Sequence, residues 1–145
     1  MKLLLQRVSR ASVTVEGKQS AVIQQGLLAF AGFEKNDTPQ MVYKMADKLL
    51  AYRVFADSSG KMNLSVRDIA GGVLIVSQFT LAASTNKGLR PSFSASAEPI
   101  VARDLYNSFI LRTKSQYQSV QTGIFGADMQ VDLLNDGPVT FLLEL

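Results

Sequence analysis

The sequence predicts a mixed α/β fold: a mainly antiparallel, curved β-sheet with two helices packed against it, in a single domain. Three observations carry this. Strand-like segments fill both ends of the chain, over residues 2–33 and 120–145. Two stretches between them repeat apolar residues at three- and four-residue spacing, the mark of amphipathic helices. Between the helices, residues 72–81 read GVLIVSQFTL, and the unbroken Val73-Leu74-Ile75-Val76 suits a central strand buried on both faces. At 145 residues and 47% hydrophobic, the chain can bury a core without metal or disulfide.

In chain order, residues 2–9 and 11–15 are strand-like, and Glu16-Gly17-Lys18 turns the chain into residues 21–24. Gln25-Gly26 breaks the pattern before the apolar run 27–33. Arg7 places a full charge between Leu5 and Val8; it either points to solvent or reaches backbone carbonyls with its guanidinium fork. Thr38-Pro39 opens the first helix as N-cap and first helical residue. Met41, Val42, Met45, Ala46, Leu49 and Leu50 form its apolar face. Arg53-Val54-Phe55 reads as a short strand, Asp57-Ser58-Ser59-Gly60 as a turn, and residues 61–71 as irregular chain pinned to the core by Met62 and Leu64. Ser96 is the expected N-cap of a second helix over residues 97–116, with Val101, Leu105, Phe109 and Arg112 on one stripe. Residues 120–124, 129–134 and 139–145 are strands, and Asn135-Asp136-Gly137-Pro138 is a turn.

What is missing narrows the chemistry. The chain holds neither Cys nor His, so a thiolate nucleophile, an imidazole base and Cys/His zinc sites are excluded, and neither metal nor cofactor is expected. Chemistry falls to hydroxyls, carboxylates, amines, backbone amides or the substrate itself. A net charge of +3 is compatible with a polyanionic partner, although solubility alone accounts for it. No apolar run is long enough to span a bilayer and no signal-peptide pattern opens the chain, so a cytoplasmic protein without a membrane partner is expected.

The central strand ends in Ser77, Gln78, Phe79 and Thr80, three uncharged polar side chains at the mouth of a rigid element, followed by a loop at 82–88. Such a placement holds a site in fixed geometry; the alternative is β-tolerant residues facing solvent. The loop over residues 82–95 carries Lys87 and Arg90 around Gly88, suited to phosphate, with Phe93 suited to stacking on a base.

Several long motifs, in order, resemble one family, the D-aminoacyl-tRNA deacylases. They are Gln6-Arg7-Val8 and Ala11-Ser12-Val13, then Lys61-Met62-Asn63-Leu64-Ser65, Ser77-Gln78-Phe79-Thr80-Leu81 and Lys87-Gly88-Leu89-Arg90-Pro91-Ser92-Phe93. Thr122-Gly123-Ile124-Phe125-Gly126-Ala127-Asp128-Met129 and Asn135-Asp136-Gly137-Pro138-Val139-Thr140 complete the set. The resemblance implies hydrolysis of the ester joining a D-amino acid to the 3′-terminal adenosine of tRNA, by a homodimer whose active sites are shared across the interface. It implies a cis Gly137-Pro138 bond inserted into the partner subunit's site and supported by Arg7, rejecting L-aminoacyl esters sterically; glycine has no side chain to exclude, so cleavage of glycyl esters is expected as well. It also implies substrate orientation by Ser77 and Gln78, and an adenosine pocket lined by Phe125, Gly126, Ala127 and Met129.

Because an aminoacyl ester is already activated, backbone amides around Gln78, Phe79 and Thr80 are the candidate oxyanion donors. Thr80 has no evident base, which favours the family's scheme in which the ribose 2′-hydroxyl assists and Thr80 positions substrate. The chain departs from the family after Leu81, where Ala82-Ala83-Ser84 replaces an often aromatic position. Two other classes stay open: a non-catalytic RNA-binding module, which would bind tRNA without turnover, and an interaction protein whose Gly-Pro segment is only a dimer contact.

Overall fold

The computed structural model describes residues 1–86 and 88–145; Lys87, one of the two cations suggested for phosphate, lies outside them. The strands are β1 (Lys2–Val15), β2 (Lys18–Ile23), β3 (Gly26–Gly32), β4 (Phe55–Ala56), β5 (Met62–Leu64), β6 (Gly72–Ser77), β7 (Val120–Thr122) and β8 (Gln130–Glu144). The helices are α1 (Pro39–Ala51) and α2 (Pro99–Gln116).

One curved, nearly closed sheet dominates, and β1 is its spine. The two strand-like segments expected over residues 2–15 are a single strand of 14 residues. Its first half pairs with β3 and its second half with β2, while β8 runs antiparallel along nearly its whole length. The mainly antiparallel expectation needs one refinement, because β3–β6 and β6–β7 are parallel pairs.

Burial of β6 on both faces has a direct cause. Val73 and Ile75 join the core under the helices with Leu27, Leu49 and Phe109, while Leu74 and Val76 join a second core with Val8, Val13, Ile23 and Leu28. That second core is enclosed by β1 and β2 with partly buried Met129, Val131 and Leu133. A strand between two apolar layers has no polar alternation to display.

Helix α1 begins where its cap chemistry places it. Thr38 is extended, its hydroxyl accepts from the Met41 amide at 3.3 Å, and Pro39 occupies the first turn. Helix α2 departs from expectation: Glu98 is its N-cap, with Pro99 opening the first turn, and Ser96 lies outside. The buried stripe is Ala102, Leu105, Tyr106, Phe109 and Thr113, so Val101 is exposed and Arg112 half-exposed. Arg112 instead donates to both carboxylate oxygens of Asp47 at 2.9 Å, joining the outer edges of the two helices.

Around the Asp57 turn, the strand expected at residues 53–55 begins only at Phe55, and the irregular stretch 61–71 contains β5. Met62 is 50% exposed, and Val66, fully buried, performs the anchoring expected of it. Asp57 accepts from the amides of Ser59 and Lys61 and from the Asn63 carboxamide at 2.7 Å. These bonds, that of Asn63 foremost, hold its carboxyl at a pKa of about 2, below the ordinary 3.8. A depressed folded pKa means that its contribution is complete above the unfolded pKa and is lost as pH falls toward 2. Asn63→Ala is expected to raise the Asp57 pKa toward 3.8, read by carboxyl NMR titration; an unmoved value would remove Asn63 as the cause.

Asn135-Asp136-Gly137-Pro138, expected as a turn, does not turn the chain. It lies within β8, which keeps its direction along β1 on either side. Gln6 faces Thr140 and Val8 faces Asn135, so two steps along β1 match five along β8, and the surplus residues leave the ladder as an extended bulge.

Candidate active site

The cavity opens at the C-terminal end of β6. It encloses about 500 Å³, within the range of small-molecule sites. Ser77, Gln78 and Phe79 form one wall; Phe125, Gly126, Ala127, Asp128 and Met129, from the connection between β7 and β8, form another. Phe33, Ser96, Ala97, Pro99 and Ala102 close it, and of these the sequence marked only Ser96, as a helix cap. No local pattern distinguishes them from ordinary core and loop residues. The lining is chiefly apolar and aromatic, and among the described residues Asp128 is the one charged group in it.

Local geometry places each group. A 3-10 turn over Phe79–Ala82 follows β6, before the expected loop. The Gln78 amide donates to the Ala31 carbonyl at 2.8 Å, extending the parallel ladder by one bond. That removes Gln78 from the candidate backbone donors. Among the described residues the amides of Phe79 and Thr80 have no acceptor, the normal condition of the first amides of a helical turn. The Gln78 carboxamide donates to the Thr80 hydroxyl oxygen at 2.6 Å, and Thr80 is exposed. Phe79 is 62% exposed and packs on Phe93 at 5.1 Å between ring centroids, which brings the 82–95 loop beside the cavity. Opposite, Gly126 has φ +77° and the Ala127 amide donates to the Ile124 carbonyl, a tight turn that a side chain at 126 would strain.

Tyr106 ties this wall to the core. Its hydroxyl donates to the Ile75 carbonyl at 3.0 Å, and its ring contacts Phe125 and Phe33. Burial raises its pKa, so it remains a protonated donor. The Ile75 carbonyl also accepts from the Gly123 amide at 2.8 Å, so Tyr106→Phe leaves it partnered. The expected cost is about 1 kcal/mol in urea unfolding; no change would mean that this bond adds nothing.

Gly137, Pro138 and Arg7 do not line this cavity. Gly137 and Pro138 are exposed on the bulge of β8, and their peptide bond is cis. Arg7, only 15% exposed in its side chain, donates from Nε to the Asp136 carbonyl at 2.9 Å and from Nη1 to the Val54 carbonyl at 2.6 Å. Its Nε also lies 3.3 Å from the Asp136 carboxylate. Of the two readings for Arg7, the fork onto backbone carbonyls is the one realised. Asn135 closes the neck of the bulge: its Oδ1 accepts from the Val139 amide at 2.8 Å and its Nδ2 donates to the Thr140 hydroxyl at 3.0 Å. An Asn beside Asp-Gly-Pro is the sequence signal for this kind of side-chain-stabilised backbone.

Comparison with known proteins assigns the class. A family model described as D-Tyr-tRNA(Tyr) deacylase matches residues 4–144. The D-aminoacyl-tRNA deacylase of Saccharophagus degradans is 57% identical over 145 residues, all of both chains. A solved structure titled c-Myc DNA Unwinding Element Binding Protein superposes with a TM-score of 0.96 at 42% identity, covering 100% of this chain and 99% of that one. Another, titled as a probable eukaryotic D-amino acid tRNA deacylase, shares the fold at a TM-score of 0.87 and 17% identity, covering 99% and 98% of the two chains. The class is that of hydrolases acting on ester bonds. The chain belongs to the D-Tyr-tRNA(Tyr) deacylase family.

Proposed function

We propose that the protein works in the cytoplasm, hydrolysing the ester between a D-amino acid and the 3′-terminal adenosine of tRNA, and so acts in proofreading chirality. It acts as a homodimer in which Gly137-Pro138 of each subunit enters the cavity of the other. The observation that carries this reading is a separation. Ser77, Gln78, Phe79, Phe125, Gly126, Ala127 and Met129 surround one cavity, whereas the exposed Gly137-Pro138 bulge lies outside it. A second copy is what can bring the two together.

In this assembly Phe125, Gly126, Ala127 and Met129 hold the adenosine, and Ser77 and Gln78 orient the ester. The unpartnered amides of Phe79 and Thr80 face the developing oxyanion; one such donor is typically worth about 10² to 10³ in rate. The ribose 2′-hydroxyl assists the attack, and Thr80, held by Gln78, positions substrate. The backbone of Gly137-Pro138, braced by Arg7, stands where an L side chain would project, while a D side chain points outward. Glycine has nothing to exclude, so glycyl-tRNA is also cleaved.

The test is deacylation of one tRNA charged in parallel with D-tyrosine, L-tyrosine and, on its cognate tRNA, glycine. Loss of the D and glycyl esters with the L ester spared is expected. Binding without turnover would favour the RNA-binding module, loss of the L ester would remove the exclusion argument, and an inert glycyl ester would contradict exclusion as the sole basis of selectivity.

A further inference from the structure

We propose that Arg103 contacts the phosphate on the 5′ side of the terminal adenosine and makes the site select a nucleotide over a nucleoside. This rests on the reading of the cavity as the adenosine site. Arg103 lies on the exposed face of α2, and its guanidinium carbon sits 5.5 Å from the centroid of the Phe125 ring. Phe125 lines the cavity and contacts Tyr106 at 5.6 Å between centroids, so the ring touches both a buried tyrosine and a solvated cation. A guanidinium stacked on an aromatic face loses freedom while keeping its N–H edge available to an anion. Among the described residues Arg103 forms no salt bridge, so that edge is uncommitted by charge.

The ligand supplies the complementary charge. A terminal adenosine offers an apolar cavity a neutral base and ribose, and its first anion is the 5′ phosphodiester, at the rim. Asp128 also lines the cavity and repels phosphate, so among the described residues that contact the cavity wall the attraction falls to Arg103. Among the described residues Arg90, the other cation suggested for phosphate, has no ring or ion-pair contact that ties it to the cavity.

The experiment measures binding rather than turnover. A stable amide analogue of 3′-D-aminoacyl adenosine, with and without a 5′-phosphate, is titrated by calorimetry into the full-length protein and into Arg103→Gln. The parent is expected to favour the phosphorylated analogue by roughly five-fold, with a preference that weakens as salt rises. In Arg103→Gln that preference should fall to about one-fold, Arg103→Lys should restore part of it, and Lys18→Gln, which removes the same charge at the β1–β2 turn, should leave it intact. Equal preference in the parent and Arg103→Gln, or no preference in the parent, would overturn the assignment. Failure of both analogues to bind the parent would overturn the adenosine reading of the cavity, and this inference with it.

Discussion

Deacylation of a D-aminoacyl-tRNA whose terminal adenosine lacks the 2′-hydroxyl is expected to fall by about 10²-fold or more, while Thr80→Ala should cost less than about 10-fold. The chain has no His or Cys, and the Thr80 hydroxyl is bonded to the Gln78 carboxamide, a group that cannot take its proton. Among the described residues no carboxylate or amine side chain is hydrogen-bonded to Thr80. An activated nucleophile needs such a base, whereas the substrate carries its own hydroxyl next to the scissile ester. Single-turnover rates on the normal and 2′-deoxy substrates, with parent enzyme and Thr80→Ala, separate the two schemes. A large loss from Thr80→Ala with the 2′-deoxy substrate still cleaved would establish the covalent threonine route.

Gly137→Ala is expected to lower kcat/KM for the D-ester by about 10²-fold, because it displaces the segment proposed above to position the ester. Gly137 has φ +141°, which side-chain-bearing residues rarely adopt. A Cβ there would lie 2.7 Å from Val139 Cγ2, 3.0 Å from the Val139 amide and 3.2 Å from Arg7 Nη2. The backbone must move, and with it the carbonyls proposed to read the α-carbon. Because the bulge is exposed, the fold should survive, with circular dichroism unchanged. Arg7→Ala should have a related effect, since it removes the donors to the Asp136 and Val54 carbonyls, and should narrow the D-to-L rate ratio. Unchanged activity in Gly137→Ala would support the view that the bulge is only a dimer contact.

Legibility in the sequence followed the range of the forces involved. The start of α1 could be placed because a Thr cap and a Pro at the first turn act within a few residues. The central strand could be placed because four consecutive aliphatic residues have no exposed face to offer. In the stripe of α2, Leu105 and Phe109 are buried as expected and only its ends differ, since Val101 and Ala102 suit a helix face equally until packing selects one. Ser96 was an acceptable cap by chemistry, but Glu98-Pro99 is where the chain begins to wind. Asn135-Asp136-Gly137-Pro138 has the composition of a turn, yet β1 pairs with β8 on both sides of it and turns it into a bulge.

By itself the sequence determined the strand content at both ends, the buried central strand, the first helix, the absence of imidazole and thiol chemistry, and the family motifs. Each is a property of composition or of neighbours along the chain. Tertiary structure alone decided that Phe33, Ala102 and Phe125 line one cavity, that the Gln78 amide is spent on Ala31, that Arg7 grips the neck of the bulge, and that Gly137-Pro138 stands apart from the cavity. These depend on which strand lies beside which and on how the sheet curves. Register and packing bring together residues whose separation along the chain carries no trace of the contact.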